Sequence, residues 1–191
     1  MPRQPDPDLE KQIIDAGWRL WKKGEDHLSL RAVAREAGTN TPAIYRRFRS
    51  RKEILRALLL RFREGFYEAM SSAPALEDAL DAYVDFAVRH PREYEIFFAN
   101  QKLLRQWLPG RSAKSEDKNP AFFWALRKLA ERFGGPPESH IPLAVSLWAL
   151  VHGTASLLTS GAIEPELQSE MRAQCRKAFE LLLREDVNRQ Q

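Results

Sequence analysis

Apolar residues recur along this chain at three- and four-residue intervals and almost nowhere at alternate positions, which predicts an all-α protein of about nine helices and no strand. From Leu9 to Lys23, the residues Leu9, Ile13, Ile14, Gly17, Trp18 and Trp21 make one stripe, closed by Gly24. Leu30, Val33, Ala34 and Ala37 make a second, with Ser29 placed to cap it. Gly38 is placed to stop it, because the residue past a helix end often needs a positive φ. Thr39, Asn40 and Thr41 offer caps for a short third helix, in whose first turn Pro42 is tolerated. Its inner face holds Ile44 and Phe48, and its outer face Thr41, Tyr45, Arg46 and Arg47. Ser50 and Glu53 fit a capping box that opens a fourth helix, running through Ile54, Leu55, Leu58, Leu59, Phe62 and Phe66 to about Met70.

After a break at Ser71, Ser72 and Pro74, the residues Leu76, Leu80, Tyr83, Val84, Ala87 and Val88 predict a helix ending near His90. Pro91 starts the next, with Tyr94, Ile96, Phe97, Phe98, Leu103, Leu104 and Trp107 on it. PGRSAKSEDKNP, from Pro109, has no apolar period and reads as a surface loop. A further helix follows at Ala121 to Phe133, and Gly134, Gly135, Pro136 and Pro137 interrupt the chain again. Two last helices are expected at about Ile141 to Thr159 and Glu166 to Glu185. The first is apolar around most of its circumference and so needs more than one neighbour to cover it.

Composition adds bounds. The 191 residues suffice for one or two domains, and 43% hydrophobic with 29% charged residues is ordinary for a globular chain. Cys175 is the single cysteine, so no intrachain disulfide can form. No apolar run follows MPRQPDPD, and no apolar stretch is seen to approach the ~20 residues needed to cross a bilayer. The expectation is a cytoplasmic protein with no membrane partner. Charge changes the picture more. Between Arg31 and Arg63 there are ten Lys/Arg against two acids, Glu36 and Glu53, whereas the rest of the chain is mildly acidic. The net +4 conceals that asymmetry, and a localised basic patch points to a phosphate backbone.

A helix, a Gly-based turn and a second helix bearing basic groups is the helix-turn-helix plan, whose second helix lies in the major groove of double-stranded DNA. AGTNTPAIYRRFRSRKEIL, within residues 9 to 60, resembles the DNA-binding signature of TetR-family transcriptional regulators. Pro42 stands where that family often has Gly, and Ala43 where it often has a polar residue. The resemblance implies a recognition element from Thr39 to Arg47, with phosphate contacts from Tyr45 and from the next helix start near Arg51 and Lys52. The candidate DNA-binding residues are Ser29, Arg31, Thr39, Asn40, Thr41, Pro42, Tyr45, Arg46, Arg47, Arg51 and Lys52. WALVHGTASLL, from Trp148, resembles the Trp-x-x-x-His-Gly segment of one subgroup of TetR-like C-terminal domains. In that family the last two helices pair two subunits, so a homodimer on a palindromic operator is implied. The domain division expected is 1–52 for DNA binding, a connecting helix at 50–72, and 53–191 for effector binding and dimerisation.

Tyr83, Tyr94, Phe97, Phe98, Trp107, Phe123, Trp124, Trp148 and His152 are each best read as interior packing. Together they are the candidates for lining a pocket for a small apolar effector. No H-E-x-x-H, G-x-S-x-G, P-loop or strand-linked G-x-G-x-x-G occurs, and the four histidines are scattered, so no catalytic centre, metal or cofactor is expected. The reading is a ligand-responsive regulator, most simply a repressor. The alternative is an all-helical carrier or enzyme whose basic patch holds an acidic small molecule.

Overall fold

Most helices in the computed structural model begin or end where the chain supplies a cap, a glycine or a proline. The structure describes residues 7–102, 104 and 119–189. Among these it has nine α-helices, no strand and two 3-10 turns. The helices are α1 (Pro7–Trp21), α2 (Leu30–Glu36), α3 (Thr41–Tyr45), α4 (Arg51–Ser71), α5 (Leu76–Arg89), α6 (Pro91–Ala99), α7 (Pro120–Phe133), α8 (Ile141–Thr159) and α9 (Pro165–Arg189). The 3-10 turns, Glu25–His27 and Pro137–His140, fall in connections that apolar periodicity did not resolve. The expected loop from Pro109 and the pocket candidate Trp107 lie outside the described residues.

Packing divides the chain into two compact units, and the division falls inside α4, between Glu64 and Gly65. The first unit takes α1, α2, α3, the start of α4, and α6 from Arg92. Its interior is aromatic: the Phe62 ring lies 4.8 Å from Phe97 and 6.3 Å from both Trp18 and Trp21. α1 sits tightly on α4. A Cβ built on Gly17 would lie 3.4 Å from Ile54 and 3.5 Å from Leu58, so an alanine would fill the space between the two helices and leave no room for a longer side chain.

The second unit takes the rest of α4 with α5, α7, α8 and α9. α8 is its central helix, packed against α5, α7 and α9. Its Ala144, Leu147, Val151, Thr154, Ala155 and Leu158 are buried, as the wide apolar circumference required. α5 carries acids along one side that meet arginines from α7 and α9. Arg132 donates to Glu77 at 2.6 Å and Arg172 to Asp85 at 2.6 Å, and Arg176 pairs with Asp81. Burial raises the Glu77 carboxyl, but the hydrogen bond from Arg132, a backbone hydrogen bond and the charges of Arg132 and Arg176 together outweigh it and hold the pKa below the usual range.

One expectation is corrected. Pro137–Thr159 is a continuous helical stretch of 23 residues with hydropathy 1.6, long and apolar enough to cross a membrane by length and composition. Glu138, His140, Pro142 and small polar residues interrupt the apolar letters there, so no unbroken apolar run of that length is present in the sequence. Length and composition do not separate a membrane span from the core helix of a globular unit, and one face of α8 is packed against three neighbours.

Candidate nucleic-acid interface

The turn between α2 and α3 is built by hydrogen bonds that its sequence dictates. Ser29 Oγ accepts the Ala32 N–H at 3.1 Å, which caps α2. At the other end Gly38 has φ 66°, a conformation that a Cβ would oppose. The Thr39 N–H then reaches back to Ala34 O at 2.9 Å, and the Gly38 N–H to Arg35 O at 3.2 Å, which is the Schellman closure of a helix end. Of the three candidate caps for α3, Asn40 is used, its Oδ1 accepting the Ala43 N–H at 2.9 Å. Thr39 and Thr41 are left half-buried beside it.

Because α3 is only five residues long, its orientation depends on what lies beneath it. Ala43 and Ile44 are buried, as is Phe48 just after it. This settles the outer face. Tyr45 is 53% exposed, and Pro42 and Arg46 are exposed with it. Ala43, which occupies a position where the resemblance led one to look for a polar group, serves the core. Arg47 is half-buried and engaged within the protein.

The start of α4 completes the surface. Ser50 Oγ accepts the Glu53 N–H at 3.3 Å, and the Glu53 carboxylate accepts the Arg49 N–H at 2.7 Å, a capping box shifted by one residue. Lys52 is exposed here, as is Arg31 near the start of α2. The side chains of Arg31, Arg46 and Lys52 make no hydrogen bond or ion pair with another described residue, so their charges are available to a partner.

Other basic groups are held in pairs within the chain, which charge counting along the sequence could not reveal. Arg19 of α1 pairs with Glu36 of α2 at 2.7 Å, a hydrogen bond that holds the Glu36 carboxyl below its usual pKa. Arg61 of α4 pairs with Asp15 of α1 at 2.5 Å, its guanidinium 5.3 Å from the centre of the Trp18 ring. Arg51 is bound to Glu25 and to the Leu28 carbonyl. Two of the ten basic residues in the Arg31 to Arg63 window are thus paired with acids that lie before it.

The pocket candidates are divided. Tyr94 and Phe97 are buried in the first unit and Phe98 is half-buried there, its ring 4.6 Å from Tyr94. In the second unit, Tyr83 and Trp124 are buried, Phe123 and His152 half-buried, and Trp148 is 43% exposed. The Tyr83 hydroxyl lies 3.0 Å from His152 Nδ1, and the Trp148 ring lies 6.0 Å from the His152 ring. Burial lowers the His152 pKa below 6.5, so the imidazole is neutral at pH 7 and can accept from the Tyr83 hydroxyl. No group of three or more His, Cys, Asp or Glu is gathered in a metal-holding arrangement among the described residues.

A family model described as bacterial regulatory proteins of the tetR family matches residues 13–58, which span α1 to the start of α4. A second, described as the tetracyclin repressor-like C-terminal domain, matches residues 76–185. A comparison with curated proteins found none that matches. Among solved structures, a protein of unknown function from Rhodococcus sp. RHA1 is 23% identical with a TM-score of 0.71, the alignment covering 94% of this chain and 96% of that one. A tetR-family transcriptional regulator from Streptomyces coelicolor is 21% identical with a TM-score of 0.66, covering 93% of this chain and 81% of the other. At these identities the likeness bears on the fold.

Proposed function

The chain belongs to the TetR family of transcriptional regulators, and from that premise we propose that it is a ligand-responsive repressor acting as a homodimer on a palindromic operator. The observation that carries the DNA-binding part is the arrangement of α3. Ala43, Ile44 and Phe48 anchor it inward, and Tyr45, Arg46 and Pro42 are exposed, as are Lys52 and Arg31. An exposed tyrosine hydroxyl and unpaired cations suit phosphate oxygens, and the short helix between them suits base edges. A protein acting on duplex DNA in this way works in the cytoplasm, by binding rather than by catalysis.

Dimerisation has a physical motive in both partners. One five-residue helix reads only a few base pairs, and a two-fold copy doubles both the readout and the phosphate contacts. Of the eight large hydrophobic residues that are exposed among the described residues, six lie on the last two helices: Ile141, Val145, Trp148, Leu157, Leu167 and Leu181. α8 contains no Asp, Glu, Lys or Arg, so it puts no charge of its own into a face shared with a second copy. The effector is a small apolar molecule held in the second unit near Tyr83, Trp124, Trp148 and His152. It acts by binding better to an arrangement of α4 that misplaces the two recognition helices.

The test is operator selection from a random duplex pool, followed by band shifts with the wild type, Tyr45→Ala and Arg46→Ala/Arg47→Ala. The proposal expects selection of a palindrome and loss of its binding in both variants. Unchanged binding in the variants, or no selected duplex, refutes it.

A further inference from the structure

Arg51 is the basic residue whose geometry departs furthest from what its position at a helix start beside the recognition element leads one to expect. Its Nε–H donates to Leu28 O at 2.7 Å, and its Nη2 donates to Glu25 O at 2.8 Å and to the Glu25 carboxylate at 3.0 Å. Glu25 opens the 3-10 turn that links α1 to α2, and Leu28 immediately precedes the Ser29 cap. A side chain at the first residue of α4 therefore grips the turn that leads into α2, 23 residues earlier in the chain.

We propose that Arg51 is a positioning residue, which locks the start of α2 to the start of α4 so that Ser29, Arg31 and Lys52 present one rigid surface to the duplex. The inference rests on the DNA-binding reading above and replaces the phosphate contact expected of Arg51 from the family resemblance. Three features support it. Neighbouring N–H groups of one planar guanidinium meet two backbone carbonyls at once, a fork that a lysine ammonium cannot reproduce. The Glu25 carbonyl also accepts the Leu28 N–H at 3.0 Å, so the arginine binds a turn that is already closed rather than a loose loop. And the charge is already met by Glu25, so swinging out to a phosphate would forfeit three hydrogen bonds, one of them an ion pair, for one contact.

The experiment compares Arg51→Lys and Arg51→Gln with the wild type on the selected duplex across a salt series, with Arg46→Gln as the control for a phosphate contact. A positioning role predicts that both Arg51 variants lose affinity by about tenfold or more, the scale of one charge-assisted hydrogen bond, on lines parallel to the wild type. Arg46→Gln should instead flatten the salt dependence by about 0.9 per protomer. Arg51→Lys binding like the wild type overturns the proposal, as does Arg51→Gln flattening the slope as the control does.

A second readout needs no DNA. In the free Arg51→Lys protein the amides of Ala32 and Val33, which close the first turn of α2 on Ser29, should exchange with solvent about tenfold faster, while those in the middle of α8 stay unchanged. Unaltered exchange at Ala32 and Val33 overturns the clamp whatever the DNA result. A wild type that ignores duplex DNA would refute the DNA-binding reading separately, with the exchange result still deciding whether the clamp exists.

Discussion

Gly153 offers a perturbation that separates the protomer's own stability from its pairing. It lies near the middle of α8, where glycine is unfavourable by roughly 0.5–1 kcal/mol relative to alanine. Nothing among the described residues explains it, since a Cβ built there would meet no heavy atom within 4 Å beyond its own stretch of helix. It shares the outer face of α8 with Val145, Ala149 and Leu157. The Gly153→Leu protomer should therefore fold as well as the wild type or slightly better. The dimer should not. Val145, Leu157, Leu167 and Leu181 are between 42% and 58% exposed in the protomer. Full burial of such a side chain is worth about 1.5–3 kcal/mol, so each has about 1 kcal/mol still to gain, or about 8 kcal/mol over the two copies. An isobutyl group at the centre of each face would hold the paired helices apart and forfeit about half of that, which raises the dimer dissociation constant by about a thousandfold. Sedimentation equilibrium measures the constant, and a thermal melt of the monomeric variant checks its fold. A Gly153→Leu protein that pairs as tightly as the wild type would refute the assignment of this face to the dimer.

Three further outcomes follow from the same geometry. Asn40→Ala removes the only side-chain cap of α3 and should lower stability by about 1 kcal/mol, seen as a fall of about 3 °C in the melting temperature. Ile44→Ala, at a fully buried position beneath α3, should destabilise by roughly 2–5 kcal/mol and abolish operator binding before any exposed residue is touched, as measured by denaturant titration beside band shifts. His152 should make stability depend on pH. Its folded pKa is depressed by burial, so the unfolded chain takes up the proton first as pH falls below 6.5. Its contribution is complete above that value and declines through the folded pKa, so the denaturation midpoint should fall between pH 7.5 and pH 5.5 by more in the wild type than in His152→Gln.

Local chemistry was readable from the letters because it acts over a few residues. Ser29, Gly38 and the Ser50–Glu53 box each did in the structure what their chemistry allows, and most helix limits fall within two or three residues of the apolar stripes, the exceptions being α6, which ends at Ala99, and α9, which runs on to Arg189. Long-range pairing was not readable. No period in the sequence links Arg51 to Glu25, Arg61 to Asp15 or Arg19 to Glu36, so the basic window was counted as if all its charges faced outward. The same holds for α6. Its aromatic stripe shows that it is packed, and only the fold shows that Phe97 packs on Phe62, in the first unit, whereas Tyr83 and His152 belong to the second. The chain letters named plausible pocket residues without revealing that they are distributed between two units.

The central claim is that an exposed, basic recognition surface meets duplex DNA twice over. Its most direct test is the dissociation constant for the selected palindrome measured against salt concentration. Arg31, Arg46 and Lys52 from each of two protomers supply six available cations, so the logarithm of affinity should fall with the logarithm of salt at a slope of about −5. A slope near zero, or equal affinity for the palindrome and an unrelated duplex, would contradict the account.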